Sequence, residues 1–135
     1  MKTAVIYWSG TGNTEAMAKA VAESAGAELF TVSEFSGNVE DYDAVAFGCP
    51  AMGAEMLEED EFEPFFTEIE GRLSGKKVGL FGSYGWGDGE WMRSWETRVE
   101  SDGAVLAGGE GVIANDAPSD DDLEKCRALG KALTE

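Results

Sequence analysis

Residues 3–8, TAVIYW, form an apolar run without alternation. A strand with one wet face alternates polar and apolar side chains, so an unbroken run calls for cover on both faces, as in a parallel sheet between helices. Similar runs recur at 28–32, 44–47 and 78–81. The pair 104–107 and 111–114 reads as two parts of one strand interrupted at GGE. Helical spacing lies between them: Met17, Val21 and Ala25; then Phe62, Phe65, Phe66, Ile69 and Leu73; then Trp91, Trp95 and Val99; and finally Leu123, Cys126, Leu129 and Leu133. Ser119, with Asp122 three residues on, is placed to cap the last helix. The segment SEFSGNVEDYDA holds one helical turn at best. Strands alternating with helices predict βαβ units and an α/β, doubly wound, five-stranded parallel sheet with helices on both faces. The 135 residues fit a single domain over 1–135.

Composition removes several classes of chemistry. There is no His, which excludes Ser-His, Cys-His and His-metal sites. Cys49 and Cys126 match no metal or redox spacing and read as reduced structural thiols. With 27 acidic and 10 basic residues the net charge is −17, so neither nucleic acid nor an anionic membrane surface is expected as a partner; a basic one fits the sign. No apolar run approaches the ~20 residues that cross a bilayer, and the N-terminal run is too short for a signal-peptide core. A soluble, cytoplasmic protein is the expectation.

In an open parallel sheet, ligands bind beyond the carboxyl ends of the strands. The first loop there, SGTGNT, follows strand one and opens a helix. Its glycines let N–H groups point inward and the helix N-terminus adds partial positive charge, so a phosphate can be held without a formal cation. Ser9, Thr11, Asn13 and Thr14 supply further donors. The Lys of a nucleotide-triphosphate loop is absent, and Glu15 stands where a dinucleotide fingerprint has its third Gly. A single terminal phosphate is the expected ligand. The second loop is GCPAMGAEM and the third GSYGWGDGEW. Trp91 and Trp95 belong to a helix stripe, but Trp86 sits between two glycines, where a planar heterocycle would give its ring a partner. Met52 could cover the ring's other face. Tyr7, Trp8 and Met17 are assigned to the core.

The loops SGTGNT, AMGAE and GSYGWGDGEWM resemble those of short-chain flavodoxins of anaerobic bacteria, and the similarity runs through nearly the whole chain. The resemblance implies the strand order 2-1-3-4-5 and FMN at the switch point, an arrangement for which flavodoxin is a known example. It also implies that Ser9, Gly10, Thr11, Gly12, Asn13 and Thr14 hold the phosphate, with Trp86 on the outer face of the isoalloxazine and Met52 on the inner. Glu55 is implied as acceptor for the flavin N3 proton. Pro50, Ala51, Gly53, Ala54, Ser83, Tyr84, Gly85, Gly87 and Asp88 would complete the pocket, and Asn115 would contact the ribityl chain. In the family the peptide between Met52 and Gly53 turns its carbonyl toward flavin N5 on reduction, and a Gly there reaches φ > 0 without a Cβ penalty. Pro50 departs from relatives that carry a hydroxyl at that position.

The implied function is a low-potential one-electron carrier with non-covalent FMN, cycling mainly between semiquinone and hydroquinone and turning over no substrate of its own. An FMN-dependent quinone or nitro-compound reductase is the alternative. A receiver domain is excluded because YWSG and GCPA lack clustered carboxylates. The expected partners are basic-surfaced redox enzymes docking on the acidic segment EEDEFEP with Asp88 and Glu90, and the carrier itself is expected to be a monomer.

Overall fold

The computed structural model describes residues 2–53 and 55–135. Its strands are β1 (Thr3–Tyr7), β2 (Glu28–Thr31), β3 (Ala44–Gly48), β4 (Lys77–Tyr84), β5 (Val105–Leu106) and β6 (Val112–Asn115), and its α-helices are α1 (Asn13–Ala25), α2 (Phe62–Ile69), α3 (Glu90–Ser101) and α4 (Asp120–Leu133). All the ladders are parallel, in the order β2-β1-β3-β4-β5, with β6 also on β4. The flavodoxin-like order expected from the sequence is therefore present, with one extra strand.

The extra strand comes from splitting one position in two. Lys77 and Val78 pair with Val105 and Leu106, whereas Phe81 to Tyr84 pair with Val112 to Asn115. Between them a short 3-10 turn, Ala107–Gly109, carries the chain out of the ladder. This is the interruption read at GGE.

Successive strand residues face opposite layers, as the unbroken apolar runs require. Ala4, Ile6, Val45, Phe47, Val78 and Leu80 face α2 and α3, in a layer filled by Phe62, Phe66, Trp91 and Trp95. Val5, Tyr7, Ala44, Ala46 and Phe81 face α1 and α4, where Met17, Val21, Cys126 and Leu129 pack. One layer is aromatic and the other built mainly of small residues. In the second layer the helices approach closely: a Cβ on Gly130 would sit 2.5 Å from the Val21 carbonyl oxygen. Ser119 and Asp122 form the expected reciprocal cap on α4, at 3.1 and 3.0 Å. Helix α2 ends before Leu73, which a 3-10 turn, Glu70–Arg72, carries into the core. SEFSGNVEDYDA contributes only the 3-10 turn Val39–Asp41. Among the described residues no helix is long and apolar enough to cross a membrane.

Candidate functional site

Three loops meet beyond the carboxyl ends of β1, β3 and β4. The first turns through Gly12 into α1, and Ser9 Oγ accepts hydrogen bonds from the N–H groups of Gly12 (3.1 Å) and Glu15 (3.3 Å). These donors belong to the start of a helix, where no backbone partner exists. Thr14 is buried and ties this loop to β4: its Oγ1 lies 3.1 Å from Ser83 Oγ and accepts from Ser83 N–H at 3.4 Å. The second loop is fastened to the same strand, with Cys49 N–H donating to Phe81 O (3.1 Å) and Ala51 N–H to Ser83 O (3.0 Å). Gly82 permits this approach, since a Cβ there would lie 2.1 Å from the Cys49 oxygen.

Met52 and Met56 then pair antiparallel, each N–H donating to the other's carbonyl, at 2.8 and 3.0 Å. Gly53 has φ 50°, the left-handed value expected for it. The Met52 carbonyl, expected to turn, is already engaged by Met56 N–H. Rotating the peptide between Met52 and Gly53 would break that bond. Ala54 lies outside the described residues.

A groove of about 230 Å³ lies among the loops, lined by Trp8, Ser9, Gly10, Thr11, Asn13, Thr14, Pro50, Ala51, Met52, Ser83, Tyr84, Gly85 and Asp116. Eleven of these were expected from the sequence, and Trp8 and Asp116 were not. Trp8 is half-buried, packed against the edge of the core with its ring beside Gly10, so it serves the groove wall as well as the core; Tyr7 and Met17 are buried as expected. Asp116 sits at φ 56° and donates its N–H to Tyr84 O at 2.7 Å, which brings its position beside the third loop. Two residues past the end of an apolar run, it carried no sequence signal.

Other expected residues stand outside the lining. Gly12 and Gly53 shape the backbone behind it. Asn115 donates its amide to Tyr84 O (3.3 Å), and Asp88 pairs with Arg93 (3.0 Å). The Glu55 carboxylate accepts from the N–H groups of Gly89 (3.2 Å) and Glu90 (3.1 Å) at the start of α3. Trp86 is 67% exposed on the tip of the third loop, next to Gly87, and Met52 is 38% exposed. Two large apolar side chains thus flank the groove with much of their surface uncovered, which costs free energy in the isolated chain. A larger cavity, about 550 Å³, lies between α3, α4 and β6 and includes nothing from the first two loops.

Among the described residues that line the groove none is Lys or Arg, and the one formal charge is Asp116. Nearby, burial foremost and then the Glu15 carboxylate raise the Tyr7 phenol above its ordinary range. Burial pushes the Cys49 thiol up to about 12, so it is no nucleophile at neutral pH. Both cysteines are free and buried, as expected. The acidic segment divides in two. The Glu58 carboxylate is buried and accepts from the N–H groups of Asp60, Glu61 and Phe62 to cap α2 (2.8–2.9 Å), and Glu63 is held by Arg98, so only Glu59, Asp60 and Glu61 project as exposed carboxylates. Asp88 and Glu90 are exposed but share Arg93. The expected acidic surface is smaller than its sequence.

A neutral donor set on a helix N-terminus suits a monoester phosphate, and the exposed Trp86 ring and Met52 side chain beside it suit a flat heterocycle. The chemistry of the groove therefore fits FMN. Comparison with known proteins points the same way. A family model described as Flavodoxin matches residues 5–130. The chain is 50% identical to a flavodoxin of Megasphaera elsdenii over 134 residues, 95% of each chain. It is 44% identical to a flavodoxin of Clostridium beijerinckii over 135 residues, 96% of each. Among solved structures, that of two-electron reduced Megasphaera elsdenii flavodoxin superposes with a TM-score of 0.86 at 44% identity, covering 97% of both chains.

Proposed function

The chain belongs to the flavodoxin family, a family of FMN-binding, low-potential electron carriers, and on that premise we propose which of its residues do the work. Both close relatives carry the flavodoxin name, so the reductase alternative is not favoured.

The carrying observation is the cation-free donor set of the first loop. The N–H groups that open α1, with the hydroxyls of Ser9, Thr11 and Thr14 and the Asn13 amide, hold the phosphate. Each charge-assisted bond is worth roughly 1.5–3 kcal/mol, so several of them replace a Lys. Trp86 and Met52 cover the two faces of the ring and exclude water from it. The FMN supplies reversible one-electron chemistry. Among the described residues lining the groove are Asp116 and no Lys or Arg, and the resulting negative field disfavours added electrons, which lowers the potential. The whole chain, 1–135, serves as one domain.

The exposed carboxylates Glu59, Asp60 and Glu61, with Asp88 and Glu90, form the surface that meets basic redox partners. Electrostatic steering of this kind is screened within about 8 Å at physiological ionic strength, so the rate of electron transfer to such a partner falls steeply with added salt. A flat salt profile removes that surface from consideration.

The central test is a visible spectrum of the FMN-loaded protein during stepwise reduction. The expected result is two resolved one-electron stages, with a new long-wavelength band at the midpoint. A single two-electron step with no intermediate band overturns the one-electron reading.

A further inference from the structure

Helix α3 begins without a side-chain cap of its own, because its N-cap is Gly89. The first N–H groups of a helix have no intrahelical partner and present partial positive charge. Here they are met from another loop: Glu55 Oε1 accepts from Gly89 N–H at 3.2 Å and Glu90 N–H at 3.1 Å, across 34 and 35 residues of chain. A carboxylate placed this way is a cap supplied in trans.

Two further observations show a built contact. Glu55 is held at φ 54°, a left-handed value that a side chain other than Gly, Asn or Asp seldom takes without strain. It lies inside the turn closed by the Met52–Met56 bridge while its side chain reaches α3, so its backbone and its carboxylate are both committed. The path of the carboxylate passes Gly87, where a Cβ would lie 2.6 Å from the carboxyl carbon and 2.6 Å from Oε1. Only a glycine at 87 leaves room for it.

We infer that Glu55 is a positioning residue: its carboxylate clasps the 52–56 turn to the start of α3 and so fixes the segment bearing Trp86. Met52 and Trp86 stand on the two loops joined by the clasp. Their spacing, and with it the width of the slot for a flat ring, is held in part by this side chain, alongside the backbone ties of Ala51 to Ser83 and Asp116 to Tyr84. This inference rests on the flavin reading above for its purpose, while the contact itself is made within the protein.

The test uses the flavin-free protein first. Amide hydrogen exchange followed by NMR in wild type, Glu55→Ala, Glu55→Gln and Gly87→Ala separates the possibilities. Losing the cap in Glu55→Ala speeds exchange at Gly89 and Glu90 about fivefold or more and leaves Ile6 and Leu129 unchanged. Gly87→Ala displaces the same carboxylate and also strains the left-handed backbone at 87, so its local loss is at least as large. Glu55→Gln, whose amide oxygen can still accept, keeps most of the protection and shows that the effect is not general unfolding. Stopped-flow mixing with FMN then gives association rates, expected to be slower in Glu55→Ala and restored in Glu55→Gln. Unchanged exchange at 89 and 90 in Glu55→Ala overturns the clasp. Faster exchange with an unaltered FMN association rate overturns its positioning role and leaves a helix cap alone. Failure of the wild type to bind FMN defeats the flavin reading, while the exchange result still decides the clasp.

Discussion

Thr14 Oγ1 and Ser83 Oγ lie 3.1 Å apart across 69 residues of chain, and this buried contact joins the phosphate loop at the start of α1 to the end of the central strand β4. Both hydroxyls are buried in the wall of the groove, and each offers the other a hydrogen bond. Thr14→Val keeps the shape and leaves Ser83 N–H and hydroxyl without that partner. A buried polar group left unpaired costs about 1–3 kcal/mol, and urea unfolding of the flavin-free protein is expected to show a loss in that range. FMN affinity, measured by calorimetry, falls in parallel because the loop loses its anchor. A variant with wild-type stability places the pair outside the framework of the site.

The phosphate requirement can be isolated without mutation. Riboflavin lacks the group that the first loop is built to hold, and losing even two charge-assisted bonds forfeits roughly 3 kcal/mol or more. Fluorescence titration of the flavin-free protein is expected to give riboflavin a Kd at least about 100-fold above that of FMN. Equal affinities would mean that the ring alone drives binding.

Trp86 separates binding from folding. Its side chain is 67% exposed, so Trp86→Ala should leave the urea midpoint of the flavin-free protein nearly unchanged. Stacking of a heterocycle on an aromatic ring is worth roughly 1–3 kcal/mol, so the FMN Kd rises by about 5- to 150-fold. A drop in stability without a loss of affinity would show that Trp86 packs against the protein instead.

A carboxylate cluster away from the site carries a pH dependence. Arg98 donates to both oxygens of Glu63 at 2.8 Å and to Glu70 at 2.9 and 2.7 Å, and it lies over the Phe66 ring. Hydrogen bonds from Arg98 hold Glu63 and Glu70 below the usual carboxylate range, so their contribution to stability is present above pH 4.5 and is lost as the pH falls through their lowered pKa values. Asp102 goes the other way. Burial, followed by Glu70, raises it from 3.8 to about 6, and its Oδ2 has no hydrogen-bond partner among the described residues. A carboxyl raised on folding stabilises most when protonated, below pH 3.8, and that stabilisation is gone once the pH has risen through about 6. Asp102→Asn therefore raises the Tm by a few degrees at pH 7.5, and the difference closes by pH 4. A Tm shift that is the same at both pH values excludes Asp102 titration as the cause.

Much of this could be read from the residues. The unbroken apolar runs required a sandwiched parallel sheet, and the strand split at GGE was visible as two short runs. The SGTGNT loop showed its donors because they are neighbours in sequence. Contacts between distant segments were not visible. Trp8 adjoins an apolar run and reads as core, but β1 ends at Tyr7 and the chain turns there, which leaves the indole on the groove wall. Asp116 enters the site through backbone pairing to Tyr84, which no local pattern encodes. Glu58 and Glu63 look like solvated charge, yet one is spent on a helix start and the other on an arginine 35 residues away. Local periodicity reports which face is buried; it does not report what a loop side chain meets.

The divided strand position has a consequence for how the molecule behaves in company. An exposed sheet edge is a template on which a second chain can add its own backbone, and the segments that build cross-β fibres run to about six residues. This sheet is bounded on one side by β2, four residues long, and on the other by pieces of two and four residues set apart by a turn. Neither border offers a foreign strand a continuous row as long as such a segment, so crowding many copies together gives them only short edges on which to seed.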